Sequence, residues 1–275
     1  MPRHRSLRRL GLLVAAIAII GFAGPAANAK TAVGAGDVNS VGREDVQLHN
    51  ATTDALSADQ AVTYHTIYLD SVRVAWHTDV YQVITVNRTS GSHARISFWQ
   101  YSTVKKQWVR IYRTIYARIG YGGLVSPQYR VQGKGQTPVG TYSFPFTFGL
   151  YNRSPYWKMP YHQLRSGDWW VEDNASVYYN RLRQKSQGGF RWWLPASDVN
   201  SSEDMYRIAQ TGQYRYGMVT SFNYYQPVRY RGAGIFLHVN GQGATAGCVS
   251  APEWFIKDAL LKLNPNWQPL IAIGW

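Results

Sequence analysis

Cysteine is almost absent: Cys248 is the only one in 275 residues. An internal disulfide and a cysteine-rich zinc site are therefore excluded. Three readings stay open for the thiol: an intermolecular bridge, a reactive group, or a small buried side chain. Acidic residues are also scarce, 15 Asp and Glu against 29 Lys and Arg. A basic protein is drawn to polyanions. The charge is spread along the chain, with no Lys/Arg stripe and no nucleic-acid motif, so nucleic acid is not an expected partner. Beyond the N-terminus no apolar run is long enough to span a bilayer. His49, His65, His77, His93, His162 and His238 form no close pair with ligand spacing, so no metal is expected. The Gly-rich segment from Gly133 to Gly140 lacks the Gly-Lys-Ser/Thr end of a phosphate-binding loop, and dinucleotide glycine spacing is absent. No internal repeat is visible.

The N-terminus does carry a pattern. Arg3, Arg5, Arg8 and Arg9 precede an apolar run from Leu10 to Gly24, followed by the small residues Ala27-Asn28-Ala29. That order predicts a secretory signal peptide over 1–29, cleaved before Lys30. A membrane is a partner only if this segment stays uncleaved. Removing four of the 29 basic residues and no acid leaves 25 against 15, a net charge of +10. Outside a cell the matching polyanions are wall polymers or lipid head groups. Residues 30–61 are rich in Ala, Gly, Ser, Thr, Asp and Asn and read as a flexible linker.

From residue 62 to 275 the composition predicts a folded domain. Gln82–Val86, Arg95–Tyr101 and Gln107–Tyr112 are short runs rich in β-branched and aromatic residues with polar turns between them. They predict an antiparallel meander within the domain's first 60 or so residues. Gly133–Gly140 leads into a strand at Thr141–Phe144. Tyr151 to Ser202 is dense in aromatic residues with little periodicity, which predicts long loops around short elements. Gly234–Val239 reads as a buried strand and Leu270–Ile273 as the last one. Between them, Ser250-Ala251-Pro252-Glu253 reads as a capping box, and Phe255, Ile256, Ala259, Leu260 and Leu263 as one face of a helix. The expected fold is mostly β, with one main helix after the Cys248 loop.

The chemistry concentrates at that loop. A thiol just before a helix start should have a lowered pKa. Gly247 lets substrate approach the backbone, and the N–H groups around Gly247 and Cys248 can face a developing oxyanion. His238 ends the preceding strand, ten residues upstream, where an imidazole can serve the thiol as base and the leaving amine as acid. The bland alternative is a structural Cys and His. Glu172-Asp173 suggests a glycosidase carboxylate pair, but sequence neighbours on one strand point to opposite faces and cannot flank one bond.

Ile235-Phe236-Leu237-His238 followed by Thr245-Ala246-Gly247-Cys248-Val249-Ser250 resembles the signature of the L,D-transpeptidase catalytic domain. Gly133-x-Gly135-x-Thr137-Pro138-x-Gly140-Thr141-Tyr142 resembles that family's second landmark. Lys158-Met159-Pro160-Tyr161 and Gly167-Asp168-Trp169-Trp170-Val171-Glu172-Asp173 resemble a secreted bacterial branch of it. The resemblance runs from about residue 82 to 275. It implies a β-sandwich or open-barrel catalytic domain and a secreted or wall location. It also implies Cys248 as nucleophile with His238 as base, Thr245, Ala246 and Gly247 forming the oxyanion loop, and no cofactor. The implied substrates are peptidoglycan stem peptides, cross-linked between third residues with release of D-Ala. Tyr161, Trp169 and Trp170 are candidate substrate contacts. Two positions depart from the family pattern: Ala246 replaces a second histidine, and Ser250 replaces an arginine that would bind a carboxylate. An L,D-carboxypeptidase and a non-catalytic wall-binding protein are the alternative readings.

Overall fold

The computed structural model describes residues 64–275, so the expected signal peptide and linker lie outside the described residues. The expected meander is present as β3 (Gln82–Ser90), β4 (His93–Ser102) and β5 (Gln107–Arg118), each antiparallel to the next. A hairpin not anticipated from the sequence precedes it, β1 (His65–Leu69) with β2 (Val72–Trp76). Alternation explains how β3 is covered on both faces. Ile84 and Val86 enter one apolar cluster, while Val83 enters another with Val72 and Val74 of the hairpin.

After β5 the strands shorten: β6 (Leu124–Val125), β7 (Thr137–Pro138), β8 (Gly140–Ser143), β9 (Thr147–Gly149), β10 (Tyr161–Gln163), β11 (Asp168–Trp170), β12 (Leu182–Gln184) and β13 (Glu203–Asp204). Long loops do surround short elements in the aromatic stretch, as expected. A short helix not anticipated from the sequence, α1 (Met205–Gln210), then begins where the Asp204 side chain accepts the Arg207 N–H. The chain closes with β14 (Tyr216–Val219), β15 (Phe236–Val239), β16 (Val249–Ala251), α2 (Glu253–Lys262) and β17 (Leu270–Gly274).

Ten strands form one mixed sheet in the order β10-β9-β14-β15-β16-β5-β4-β3-β17-β8, while β12-β11-β13 makes a separate three-stranded sheet. Most neighbours are antiparallel, but β15 and β16 run parallel, with Leu237 opposite Val249 and His238 opposite Ser250. The fold is therefore mostly β, as expected. Leu237, Val239, Val249 and Ala251 share a buried cluster with Phe255, Ile256, Ala259, Leu260 and Leu263, the predicted face of α2. Residues from β3, β4, β14 and β17 join the same cluster, so the sheet curls around α2. Phe236 and Cys248 belong to a second cluster, with Trp170, Met205 and Tyr214. Period-two alternation thus separates a structural face of β15 and β16 from the face that carries the thiol.

One local expectation is corrected. Ser250 does not cap a helix, because its backbone is drawn into β16 opposite His238 and its hydroxyl donates to Asn240 Oδ1 at 2.8 Å. The N-cap of α2 is Pro252, without a side-chain cap. A strand therefore separates Cys248 from the helix.

Candidate functional site

The Cys248 loop is held by hydrogen bonds before the thiol is reached. Thr245 pairs with the segment after β5, donating its N–H to the Ile119 carbonyl at 3.1 Å and accepting the Tyr121 N–H at 2.9 Å. Its hydroxyl donates to the Cys248 carbonyl at 2.6 Å and accepts the Gly247 N–H at 3.2 Å. Gly247 has φ +139°, in the region that favours glycine, and an added Cβ would lie 2.8 Å from Arg130 Nη2. Ala246 is exposed at the cleft. The loop closes as expected, but the Gly247 N–H already has an acceptor in Thr245 and is not a free oxyanion donor.

The buried Thr137 hydroxyl accepts the Gly120 N–H at 2.8 Å and donates to the Gly247 carbonyl at 2.7 Å. The Gly133–Gly140 turn is thereby tied to the cysteine loop.

Cys248 is buried, 7% exposed, on the wall of a cleft of about 650 Å³. Its thiol donates to the Gly234 carbonyl at 3.0 Å and accepts the Phe236 N–H at 3.3 Å. Burial pushes the thiol pKa up and Glu203 adds to this; the Phe236 N–H pulls the other way, with smaller opposing effects from Glu172, which raises it, and Arg130, which lowers it. The lowered thiol pKa expected from the sequence is therefore corrected. The helix that would supply the positive end begins only after β16, and carboxylates face the thiol instead.

His238 shares a sheet face with Phe236, Cys248 and Ser250, by the parallel register and strand alternation. It is not hydrogen-bonded to the thiol. Its Nδ1 meets the Val239 carbonyl at 2.8 Å, and Tyr214 packs edge-on against the ring at 5.1 Å between centroids. Burial lowers the imidazole to about 4, against the raising effect of hydrogen bonds to the Val239 and Gln213 backbone. The structure brings the two predicted groups to one face as a neutral thiol and a neutral imidazole, without an ion pair.

Of the candidate substrate contacts, Trp169 lines the cleft. The other two are corrected. Trp170 is fully buried, packed edge-on against Phe236 with its indole N–H donated to Asn180 Oδ1 at 2.9 Å, so it serves the core. Tyr161 lies outside this cleft, packed on Trp157 with its hydroxyl donated to the Tyr151 carbonyl at 2.6 Å.

The cleft also holds Glu203, which the sequence did not single out, and Glu172, which the sequence paired with Asp173 instead. Glu172 and Glu203 both line the cleft, each half-buried. Burial raises Glu203 to about 7, even though it accepts the Tyr214 hydroxyl at 2.7 Å. Burial, then Glu203, pushes Glu172 well above the usual carboxylate range. Asp173 turns away from the cleft to Arg191, which holds its carboxyl low. The second carboxylate of the cleft therefore comes from Glu203 of β13, paired opposite Trp170 of β11, rather than from the chain neighbour. Arg130 is the buried cation of the cleft. Among the described residues no group of three His, Cys, Asp or Glu is placed to hold a metal ion, and no helix is long and apolar enough to cross a membrane.

Compared with protein-family models, curated proteins and solved structures, the chain matches none.

Proposed function

We propose that this protein is a secreted cysteine acyltransferase of the L,D-transpeptidase kind, acting on peptidoglycan stem peptides. The observation that carries the reading is the bond from the Thr137 hydroxyl to the Gly247 carbonyl. The two most specific resembling motifs, Gly133–Tyr142 and Thr245–Ser250, lie far apart in the chain and meet beside the thiol. A cleft large enough for a peptide opens on the same side.

In this reading Cys248 Sγ attacks the carbonyl that joins the third stem residue to D-Ala. His238 takes the thiol proton and passes it to the amine as the C–N bond breaks, so D-Ala leaves and a thioester remains. A side-chain amine of a neighbouring stem attacks the thioester, Sγ leaves, and the thiol regains a proton as the cross-link forms. Since the resting groups are both neutral, proton transfer is coupled to attack rather than completed beforehand.

Incubation of the purified protein with a wall-derived tetrapeptide should release D-Ala and add the tripeptide acyl mass to Cys248. Neither should occur with Cys248→Ser. A folded wild-type protein that shows no adduct and no D-Ala sinks the proposal. That result would favour the non-catalytic wall-binding reading, for which the buried, neutral thiol is the specific support.

A further inference from the structure

Arg130 is a buried cation with an open edge. It is 6% exposed, and its side chain passes through the space that Gly232 leaves, where an added Cβ would collide with Nη1. Nε donates to the Gln136 carbonyl and Nη1 to the Arg231 carbonyl, both at 2.9 Å. The guanidinium carbon lies 5.6 Å from the centre of the Phe222 ring. No acceptor among the described residues takes Nη2, which lies against Gly247 with the cleft beyond it. No ion pair forms with Glu172, the largest acidic influence on the group. A planar guanidinium fixed on two carbonyls, with donors left over and water largely excluded, suits a carboxylate. Its placement fits the cleft chemistry: Cys248 lines the same cleft.

We propose that Arg130 is the specificity residue that binds the terminal carboxylate of the acyl donor and sets the scissile carbonyl against Cys248. This rests on the acyltransfer reading for the identity of the donor, whereas the anion site stands on the geometry alone. The guanidinium recognises a free C-terminal carboxylate and rejects an amide, which brings no charge to a buried cation.

The test uses N-acetyl-D-alanine and N-acetyl-D-alaninamide as probes on the mature chain. Wild type should bind the acid about 10- to 100-fold tighter than the amide, the range expected for a charge-assisted pair. The acid alone should slow iodoacetamide alkylation of Cys248. Arg130→Gln should bind both probes equally. Arg130→Lys keeps the charge without the fork and should retain a reduced preference. If either variant fails to fold, the preference and the alkylation protection in wild type still decide. Equal binding of acid and amide by wild type, or a preference that survives in folded Arg130→Gln, overturns the assignment. Acid binding through Arg130 without D-Ala release from tetrapeptide would leave the anion site standing and remove the acyltransfer reading. D-Ala release without acid–amide discrimination would do the reverse.

Discussion

At the scale of the residue, the contest at Cys248 is between the positive influences expected from sequence and the burial and carboxylates that the fold supplies. The second set wins, since the thiol is pushed up while His238 is held neutral. Iodoacetamide should therefore alkylate Cys248 slowly at pH 7, more slowly than a free cysteine, whose pKa is about 8.5. His238→Ala should leave that resting rate almost unchanged, because the imidazole is not bonded to the thiol. D-Ala release should fall by about 10²- to 10⁴-fold, the usual share of general acid–base catalysis. Glu203→Gln should raise alkylation at pH 8 by removing a negative neighbour. A fast reaction at pH 7 that His238→Ala abolishes would show a resting ion pair instead. Cys248 and His238 were legible because scarcity and a local motif single them out. Arg130 and Glu203 were not, because neither stands in a pattern of its own, and Glu172 was visible only beside Asp173, since its meeting with Glu203 depends on β13 further along the chain.

At the scale of the element, legibility follows length. The runs in β3, β4 and β5 are long enough to show their alternation, and the apolar stripe of α2 repeats over its whole length. Strands of two or three residues, such as β7, β9 and β11, carry no visible period. The capping box misled because Ser250 has a stronger use for its backbone, pairing in a parallel ladder opposite His238. Thr137 shows what a two-residue strand contributes. Its hydroxyl serves a buried N–H of Gly120 and a buried carbonyl of Gly247. Thr137→Val keeps the shape and strands both groups, which should cost about 1–3 kcal/mol in denaturant unfolding. Thr137→Ser keeps the hydroxyl and should recover most of that loss. D-Ala release should drop in the Val variant even where it remains folded, since the Gly247 backbone then loses its anchor. An unfolding curve for Thr137→Val that overlays wild type would show that the two loops are held together by other contacts.

At the scale of the whole molecule, a neutral base and a protonated acid both lie against Tyr214 of the second apolar cluster, and the two give stability opposite dependences on pH. The His238 value falls from 6.5 in the unfolded chain to about 4. Between these values the unfolded chain holds a proton that the folded chain lacks. The contribution of neutral His238 is thus complete above 6.5 and is lost as pH falls through 4. The Glu203 value rises from 4.5 to about 7. Its contribution is complete below 4.5 and is lost as pH rises through 7. Either displacement alone corresponds to roughly 3 kcal/mol at full strength, and the partial exposure of Glu203 reduces its share. From pH 4.5 to 6.5 these two slopes oppose each other, and Glu172, whose folded value is also raised, adds a second falling slope, so wild type should lose stability as pH rises there. Substitution should unmask them. Relative to wild type, Glu203→Gln should gain about 1–3 kcal/mol as pH rises from 4.5 to 7. Relief of Glu172 from its like-charged neighbour acts in the same direction. His238→Gln should lose ground to wild type as pH rises from 4 to 6.5, because it no longer gains from shedding a proton. Denaturant melts of the three proteins at half-unit pH steps measure this directly. Constant offsets between the curves would reflect lost packing, such as the Tyr214–His238 contact, and leave the slopes as the deciding quantity. Parallel profiles for all three proteins would mean that these groups titrate alike in the folded and unfolded chains, and that the apolar surroundings of the cleft do not hold them neutral.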